Sequence, residues 1–338
     1  MAKAIAKKEF SFSDLKKKFS SEAKFKEQKY FYLGKEFLEC TGIPGPSYSA
    51  INMFLGHSNT SKTTAAILTA VDAQRNNVLP VFIITEQKWD FDHAKTLGLQ
   101  CEKQEDNSWD GFFLFNNDFK YIEQMTDYIN SLLDAQEKGE MPYDLLFIID
   151  SIGSIPCKMT YEGKGGKQHN AAALAEKIGM GIHQRITSTR REDSKYSATM
   201  VVINQPWVEL PDNPYGVPRI KPKGGEALYL ASSLVFLFGN EKNSGVSHID
   251  LTHKGRKVAF ATRSKISVLK NHISGIAYKD GKILATAHGY IKDDPEAIKK
   301  YKAESADYWN NILGVSSMTE VDFDESEEIF DDVSYSEE

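Results

Sequence analysis

The sequence predicts an α/β fold, in which a mainly parallel, doubly wound sheet is flanked by helices. Short apolar runs with the length and branching of buried strands alternate with longer stretches of helical pattern. Polar side chains directly follow several of these runs, and the carboxyl ends of parallel strands are where such sheets bind ligands. The 338 residues, 41% of them hydrophobic, suffice for one large core.

These patterns predict the strands and helices in chain order. The predicted strands span residues 51–56, 78–85, 145–150, 198–204 and 233–239. The predicted helices between them span residues 62–76, 90–97, 117–138 and 171–189. After residue 239 the apolar runs become closely spaced, which predicts antiparallel hairpins, and a last helix is expected at about 295–312.

The two ends of the chain differ in charge from its middle. Residues 1–30 contain nine lysines and four acids, and "SDLKKKF" predicts a short basic helix within this arm. Residues 318–338 contain ten acids and no Lys or Arg, which predicts a disordered acidic tail. The whole chain carries −6, so the other 317 residues carry +4. The tail either solubilises the protein or competes with polyanions for basic surface.

The composition argues against a secreted or membrane-bound protein. Cys40, Cys101 and Cys157 are far apart and odd in number, which indicates neither a disulfide framework nor a zinc site. No apolar run reaches the ~18–20 residues that span a bilayer, and the N-terminus lacks the apolar segment of a signal peptide. A soluble cytoplasmic protein without a membrane partner is therefore expected.

The segment "LGHSNTSKTT", residues 55–64, nearly matches the phosphate-loop pattern G-x-x-x-x-G-K-[ST]. Ser61 replaces the second glycine, a substitution expected where φ is negative, whereas Asn59 suits a left-handed backbone. A predicted strand precedes the loop and a strong helix follows it, as phosphate binding requires. The predicted phosphate contacts are Gly56, His57, Ser58, Asn59, Thr60, Ser61, Lys62, Thr63 and Thr64. An ordinary polar strand-to-helix turn remains the alternative.

Three further strands end on groups that suit nucleotide hydrolysis. Asp150 ends "YDLLFIID", the form of a segment that holds the Mg²⁺ shell, and Glu86 can accept a proton from an attacking water. Asn204 and Gln205 supply uncharged amides that can sense a γ-phosphate. A capping or surface role is the alternative for Glu86. The phosphate loop, Glu86, Asp150 and the Asn204–Gln205 pair follow one another on successive strands. This order indicates a nucleotide site more specifically than any one of the four motifs does.

Two long connections follow these strands and favour nucleic-acid binding. Segment 157–169 carries Lys158, Lys164 and Lys167 among glycines, and segment 206–225 holds five of the eleven prolines. The second segment contributes Trp207, Tyr215, Arg219, Lys221, Lys223, Gly224 and Gly225. Basic side chains neutralise phosphates while aromatic rings stack on bases. A solvated, proline-stiffened excursion is the alternative.

Over residues 40–275 the chain resembles RecA-type DNA strand-exchange recombinases, and most closely their bacteriophage UvsX-type branch. "FIITEQKWD", "IIDSIGSIP", "INQ" and "KGGEAL" are similar to the family's catalytic-glutamate strand, Walker B strand, glutamine switch and the end of its second DNA loop. UvsX-type loops also lack the second glycine. The resemblance implies a RecA-like ATPase core over 31–275, with further strands and a helix over 276–317.

The resemblance also implies roles for single residues. Lys62 and Thr63 would bind phosphate and Mg²⁺, with Asp150 holding the metal shell. Glu86 would be the general base, and Gln205 would couple the γ-phosphate to segment 206–225. Asp90 and His93 match positions that contact adenine in the family. Lys270 and His272 match a cationic pair that reaches a neighbouring subunit's ATP, although His272 replaces the usual lysine, so that its charge would depend on pH.

The implied activity is ATP-dependent homologous pairing and strand exchange on a helical filament. Its partners would be single- and double-stranded DNA, further copies of the chain, a loading mediator and a single-strand-binding protein. The arm 1–30 would pack on the next subunit, and infected bacterial cells would be its setting. A hexameric helicase is an alternative, although fewer than about 50 residues precede the core. A DNA-binding ATPase accessory protein without strand exchange is another.

Overall fold

A computed structural model describes residues 12–19, 24–209, 219–239, 246–254, 256–276, 278, 281–315 and 322–324. The helices are α1 Phe12–Phe19, α2 Lys35–Thr41, α3 Lys62–Arg75, α4 Phe91–Thr96, α5 Ile122–Glu137, α6 Lys158–Tyr161, α7 Lys167–Leu174, α8 His183–Ser188, α9 Glu226–Ala231, α10 Pro295–Glu304 and α11 Ala306–Leu313. A π-helical segment, Ala175–Ile182, joins α7 to α8. None of these helices combines the length with the hydrophobicity that crossing a bilayer requires.

The strands follow the same chain order. They are β1 Ile51–Gly56, β2 Val78–Ile84, β3 Cys101–Lys103, β4 Trp109–Gly111, β5 Leu114–Asn116, β6 Asp144–Asp150, β7 Ala198–Asn204, β8 Pro206–Glu209, β9 Arg219–Pro222, β10 Leu234–Phe238, β11 Ser247–His253, β12 Arg256–Asn271, β13 Gly281–Thr286, β14 Gly289–Lys292 and β15 Asp322–Asp324.

Eleven of the described strands form one large sheet. Its main order is β14-β13-β12-β10-β1-β7-β6-β2-β5, and β11 pairs with β12. The six strands from β10 to β5 run parallel, whereas the pairings of β10–β12, β12–β13, β13–β14 and β11–β12 are antiparallel. The α/β fold and the antiparallel hairpins after residue 239 are thus confirmed.

The parallel strands are buried on both faces, as expected for a sheet covered by helices. Phe54 of β1 packs in the core beneath α2, α3 and α4, and its neighbour Leu55 packs in the core beneath α5, the π-helical segment and α9. This alternation follows from the two-residue period of a strand. Burying a side chain such as Phe54 stabilises the fold by roughly 1.5–3 kcal/mol, so both cores hold the strand ends of β1, β7, β6 and β2 in fixed positions.

The C-terminal strands and helices form a third apolar cluster. Phe260 of β12 packs against Tyr301 and Trp309 of α10 and α11, with ring centroids 5.1 and 5.3 Å apart. The helix predicted at 295–312 is two helices, because the Ser305 hydroxyl bonds to the Tyr301 carbonyl at 2.6 Å and the backbone there leaves the helical conformation.

The two predicted DNA loops contain more regular structure than their sequences indicated. Segment 157–169 includes α6 and the start of α7, and in segment 206–225 β8 pairs antiparallel with β9. The predicted disordered tail also contains β15, which pairs with β11 at an otherwise open edge. Tyr215 and the rest of the tail lie outside the described residues.

Candidate functional site

The candidate phosphate loop, residues 56–62, joins the end of β1 to the start of α3. A Cβ atom on Gly56 would lie 2.4 Å from the Phe238 carbonyl oxygen and 2.9 Å from the Thr60 hydroxyl. Only glycine therefore fits where β1 runs beside β10. The following residues turn into α3, whose first N–H groups have no acceptor within the helix, as in sites that bind phosphate.

Ser61 takes the left-handed backbone conformation, with φ of 68° and ψ of 18°. The expectation that serine occupies this position at negative φ is therefore wrong. Asn59 is also left-handed, with φ of 61°. This conformation costs a non-glycine residue on the order of 1–2 kcal/mol, because its Cβ crowds the backbone. The Tyr290 hydroxyl donates to the Ser61 carbonyl at 3.0 Å, and it lies 3.4 Å from the Ser61 hydroxyl.

Lys62 is only 7% exposed, and its ammonium lies over the loop. Its Nζ donates to the His57 carbonyl and to the Thr60 hydroxyl, the latter at 3.3 Å, and neither acceptor carries a charge. Burial lowers the pKa of Lys62 to about 8, although the negative charges of Asp150 and Glu86 oppose this shift. An anion bound in the loop would therefore meet a desolvated cation.

Thr63 and Asp150 place two oxygen ligands beside that ammonium. The Thr63 hydroxyl donates to Asp150 Oδ2 at 3.1 Å across α3 and β6. Burial raises the pKa of Asp150, and the hydrogen bond from Thr63 works against this increase. Hydroxyl and carboxylate oxygens are ligands that Mg²⁺ accepts alongside phosphate and water. The residues present therefore suit a magnesium–triphosphate group.

Glu86 follows β2 and is held by two neighbours. The Ser151 hydroxyl donates to Glu86 Oε1, and Lys88 Nζ lies 3.6 Å from Glu86 Oε2. A cavity of about 170 Å³ brings the predicted groups together, since its lining includes Lys62, Thr63, Glu86, Asp150, Ser151 and Gln205. Sequence reasoning assigned Ser151 no role, although its position directly after Asp150 was a usable signal.

Gln205 is linked to the end of the second predicted DNA segment. Lys223 Nζ donates to the Gln205 amide oxygen at 2.6 Å, and the Lys223 backbone N–H donates to the Gln205 carbonyl at 2.9 Å. The Asn204 amide donates to the Lys223 carbonyl at 2.9 Å. The strand tip of β7 and the residue after β9 are thus tied by three hydrogen bonds.

A second cavity, of about 460 Å³, lies on the other side of the candidate phosphate loop. Its lining includes Thr60, Thr64, His93, His248, Phe260 and Trp309. Burial lowers the pKa of His93, against the charge of Asp90. Asp90 caps α4 by accepting the His93 backbone N–H at 3.0 Å. Phe260 and Trp309 come from C-terminal elements, and no local pattern pointed to them.

The lysines of segment 157–169 lie near its two short helices. Lys158 begins α6, with its ammonium 5.9 Å from the centre of the Tyr121 ring. Lys164 pairs with Glu162 at 3.0 Å, and Lys167 begins α7. All three lysines are exposed.

The hairpin of β8 and β9 carries the other predicted DNA contacts. Trp207 is 46% exposed and lies opposite Lys221, whose ammonium is 3.0 Å from Glu226. Gly224 and Gly225 have φ of 84° and 94°, and a Cβ on Gly224 would lie 2.4 Å from a Leu174 methyl group. Glycine is therefore required where the hairpin returns to α9. Arg219 lies in β9, and its side chain is outside the described part of the chain.

Lys270 and His272 lie at the end of β12. Lys270 is 8% exposed and donates to the carbonyls of Tyr229 and Leu230, at 2.9 and 2.8 Å, at the end of α9. Burial lowers the pKa of Lys270. His272 is exposed, and its backbone N–H donates to the Ser233 carbonyl at 3.0 Å. The role of this pair on a neighbouring subunit stays a prediction.

The chain has low sequence identity to RecA proteins of several bacteria. It is 27% identical to Protein RecA of Sulfurovum sp. over 55% of this chain and 48% of that protein. It is 25% identical to Protein RecA of Aquifex aeolicus and 23% identical to that of Mesoplasma florum, over 69% and 70% of this chain. The chain covers 59% and 61% of those two proteins. No protein-family model matches the chain. The similarities support a relationship with the RecA-type recombinase family.

Proposed function

We propose that this chain is an ATP-dependent DNA recombinase of the UvsX-type branch, which polymerises on single-stranded DNA and exchanges strands. One observation carries the proposal. Lys62 and Thr63 follow β1, Glu86 follows β2, Asp150 ends β6 and Gln205 follows β7, and all of them line one cavity. These four strands are parallel neighbours, so their carboxyl ends meet at one edge of the sheet.

The candidate phosphate loop binds the triphosphate of ATP. Lys62 neutralises the β- and γ-phosphate oxygens, and the backbone N–H groups of the loop and of α3 donate to them. Thr63 and Asp150 are the residues that would hold Mg²⁺. When bound, Mg²⁺ neutralises charge that develops on the phosphate oxygens. His93 and the second cavity receive the nucleoside, with Asp90 fixing the start of α4.

Glu86 is the general base for hydrolysis. Its carboxylate accepts a proton from the water that attacks the terminal phosphate. The Ser151 hydroxyl and the Lys88 ammonium orient this carboxylate toward the cavity that Lys62 also lines. A protein that only binds ATP has no need of a base at this strand end, which favours the enzyme over the accessory protein.

Gln205 transmits the state of the nucleotide to the hairpin of β8 and β9. Its amide oxygen holds Lys223. When the amide of Gln205 turns toward a γ-phosphate, the ammonium of Lys223 is released for DNA phosphate. Lys221, Arg219, Lys158, Lys164 and Lys167 neutralise further phosphates, while Trp207 and Tyr215 stack on bases. Gly224 and Gly225 let the backbone turn back to α9.

The assembly is a helical filament of this chain on single- or double-stranded DNA. The arm 1–30 packs on a neighbouring subunit, and Lys270 with His272 acts on that neighbour's ATP once Lys270 leaves α9. A loading mediator and a single-strand-binding protein complete the reaction in the cytoplasm of phage-infected bacteria.

ATP turnover with and without single-stranded DNA, combined with negative-stain imaging, tests the proposal. We expect DNA-stimulated hydrolysis on helical filaments, and joint molecules when homologous duplex is added. Closed rings with unwinding activity would identify a helicase. Assemblies without turnover would identify an accessory protein.

Substitution Glu86→Gln tests the base directly. We expect turnover to fall about 10²–10⁴-fold, because proton transfer to a positioned base contributes that much, while ATP binding and filament assembly persist. The matched control is Glu39→Gln, which removes a carboxylate that pairs with Lys35 on the surface of α2. Unchanged turnover in Glu86→Gln would contradict the assignment.

A further inference from the structure

Tyr290 connects the C-terminal strands to the candidate phosphate loop. It lies in β14, is 8% exposed, and packs in the same core as Phe37, with ring centroids 5.8 Å apart. Its hydroxyl reaches Ser61, 229 positions earlier in the chain, at 3.0 Å from the carbonyl and 3.4 Å from the side chain. The core fixes the ring, so the hydroxyl is a fixed donor.

Ser61 occupies the position of the second glycine in the phosphate-loop pattern. It takes the left-handed backbone that a glycine adopts without penalty, and its carbonyl already accepts the Ala65 backbone N–H at 3.1 Å in the first turn of α3. If the Ser61 peptide relaxed to negative φ, the carbonyl would turn away from Tyr290 and the Lys62 N–H would change direction. The Lys62 N–H can donate to a phosphate in the loop only when it points into the loop.

We propose that Tyr290 is a positioning residue that holds Ser61 in the left-handed conformation and thereby keeps the loop in its phosphate-binding shape. The inference rests on the proposed phosphate-binding function of the loop. In this chain, a hydrogen bond from β14 does the work that a second glycine would do by its conformational freedom. Tyr290 acts through the loop and needs no contact with nucleotide.

Two further observations agree with this role. The Ser264 hydroxyl of β12 lies 3.4 Å from the Thr60 carbonyl, so a second C-terminal strand contacts the preceding loop residue. Burial raises the pKa of the Tyr290 hydroxyl far above its usual value, which keeps it protonated as a donor. The loop is thus held by the C-terminal strands as well as by β1 and α3.

A double-mutant cycle of Tyr290→Phe and Ser61→Gly tests the coupling. In the Ser61 background, we expect Tyr290→Phe to weaken binding of a fluorescent ATP analogue about 3- to 10-fold, as expected for one lost hydrogen bond. In the Ser61→Gly background, the same change should weaken binding less than about twofold, because glycine reaches this backbone unaided. In steady-state assays KM should rise with little change in kcat.

Hydrogen exchange of residues 56–64 without nucleotide gives a second readout. Tyr290→Phe should speed exchange of these amides, and Ser61→Gly should remove most of that increase. The matched control is Tyr301→Phe, which removes another buried hydroxyl of the C-terminal region, one that contacts His288 at 3.0 Å. The control should leave exchange in the loop and nucleotide affinity near wild type. Thermal unfolding of each variant verifies that it is folded.

Each outcome decides between the possibilities. Equal losses of affinity in both backgrounds, or a similar loss in Tyr301→Phe, would show that Tyr290 acts through general stability and would overturn the proposal. Unchanged affinity and exchange in Tyr290→Phe would overturn it as well. If the wild-type chain binds no ATP, the proposed function fails, and the exchange experiment still decides whether Tyr290 holds the loop.

Discussion

Affinity for ATP should decrease as the pH rises from 7 to 9, because Lys62 loses its charge over this range. A pKa of about 8 leaves the free ammonium about 90% protonated at pH 7 and about 10% at pH 9. If ATP binds only the charged form, the affinity falls about tenfold between these values. A lysine with an unperturbed pKa would stay charged to pH 9, and its site would show almost no change.

The sign of the effect follows from proton linkage. Folding lowers the pKa of Lys62, so the unfolded chain binds this proton more tightly than the folded chain does. The free energy of unfolding therefore increases as the pH rises above 8. Nucleotide binding has the opposite dependence, since the phosphates favour the charged form. Binding at pH 8 should therefore take up about half a proton per ATP. The second proton of a phosphate leaves near pH 6, so the ligand contributes little above pH 7.

Isothermal titration calorimetry in buffers of different ionisation enthalpy measures both the affinity and the proton uptake. The variant Lys62→Arg should bind with a nearly flat pH dependence, because a guanidinium stays charged throughout. Lys35→Arg, at an exposed position in α2, is the control and should retain the wild-type slope. Constant affinity from pH 7 to 9 in the wild type, or the wild-type slope in Lys62→Arg, would refute the reasoning.

Two further predictions concern DNA. The double variant Lys221→Ala/Lys223→Ala should bind single-stranded DNA more weakly, and the slope of log affinity against log salt concentration should be smaller in magnitude by about 1.5. Filter binding across a salt series measures this slope, and Lys35→Ala/Lys300→Ala is the charge-matched control. An unaltered slope would remove the hairpin from the DNA interface. Deletion of residues 318–338, which carry ten acids, should tighten DNA binding if the tail competes for basic surface; the same assay with unchanged affinity would leave the tail a solubilising segment.

The parallel part of the fold could be read from the sequence because it depends on local patterns. Runs such as "LLFIID" are apolar throughout because β6 is covered on both faces, and the polar residue that ends each run lies at the sheet edge. The same logic predicted that Lys62, Glu86, Asp150 and Gln205 would lie together, and the structure places them around one cavity.

The remaining features depend on contacts between distant residues, which leave no local signal. Ser61 accepts a hydrogen bond from Tyr290, which lies 229 positions later in the chain. The second cavity is lined in part by Phe260 and Trp309, from elements that follow the parallel strands in the chain. The sequence did not predict the hairpin of β8 and β9, because β8 begins and β9 ends with a proline. These two residues, Pro206 and Pro222, pair with each other. Pairing of these strands was not evident from propensity.

The hydrogen bond between Lys223 and Gln205 has a thermodynamic consequence under the proposed function. Under that function the ammonium of Lys223 leaves the amide of Gln205 when it binds a DNA phosphate. Binding at the two places is then linked by one coupling free energy. If ATP raises the affinity for DNA by some factor, DNA must raise the affinity for ATP by the same factor, and Lys223→Ala should reduce both factors equally.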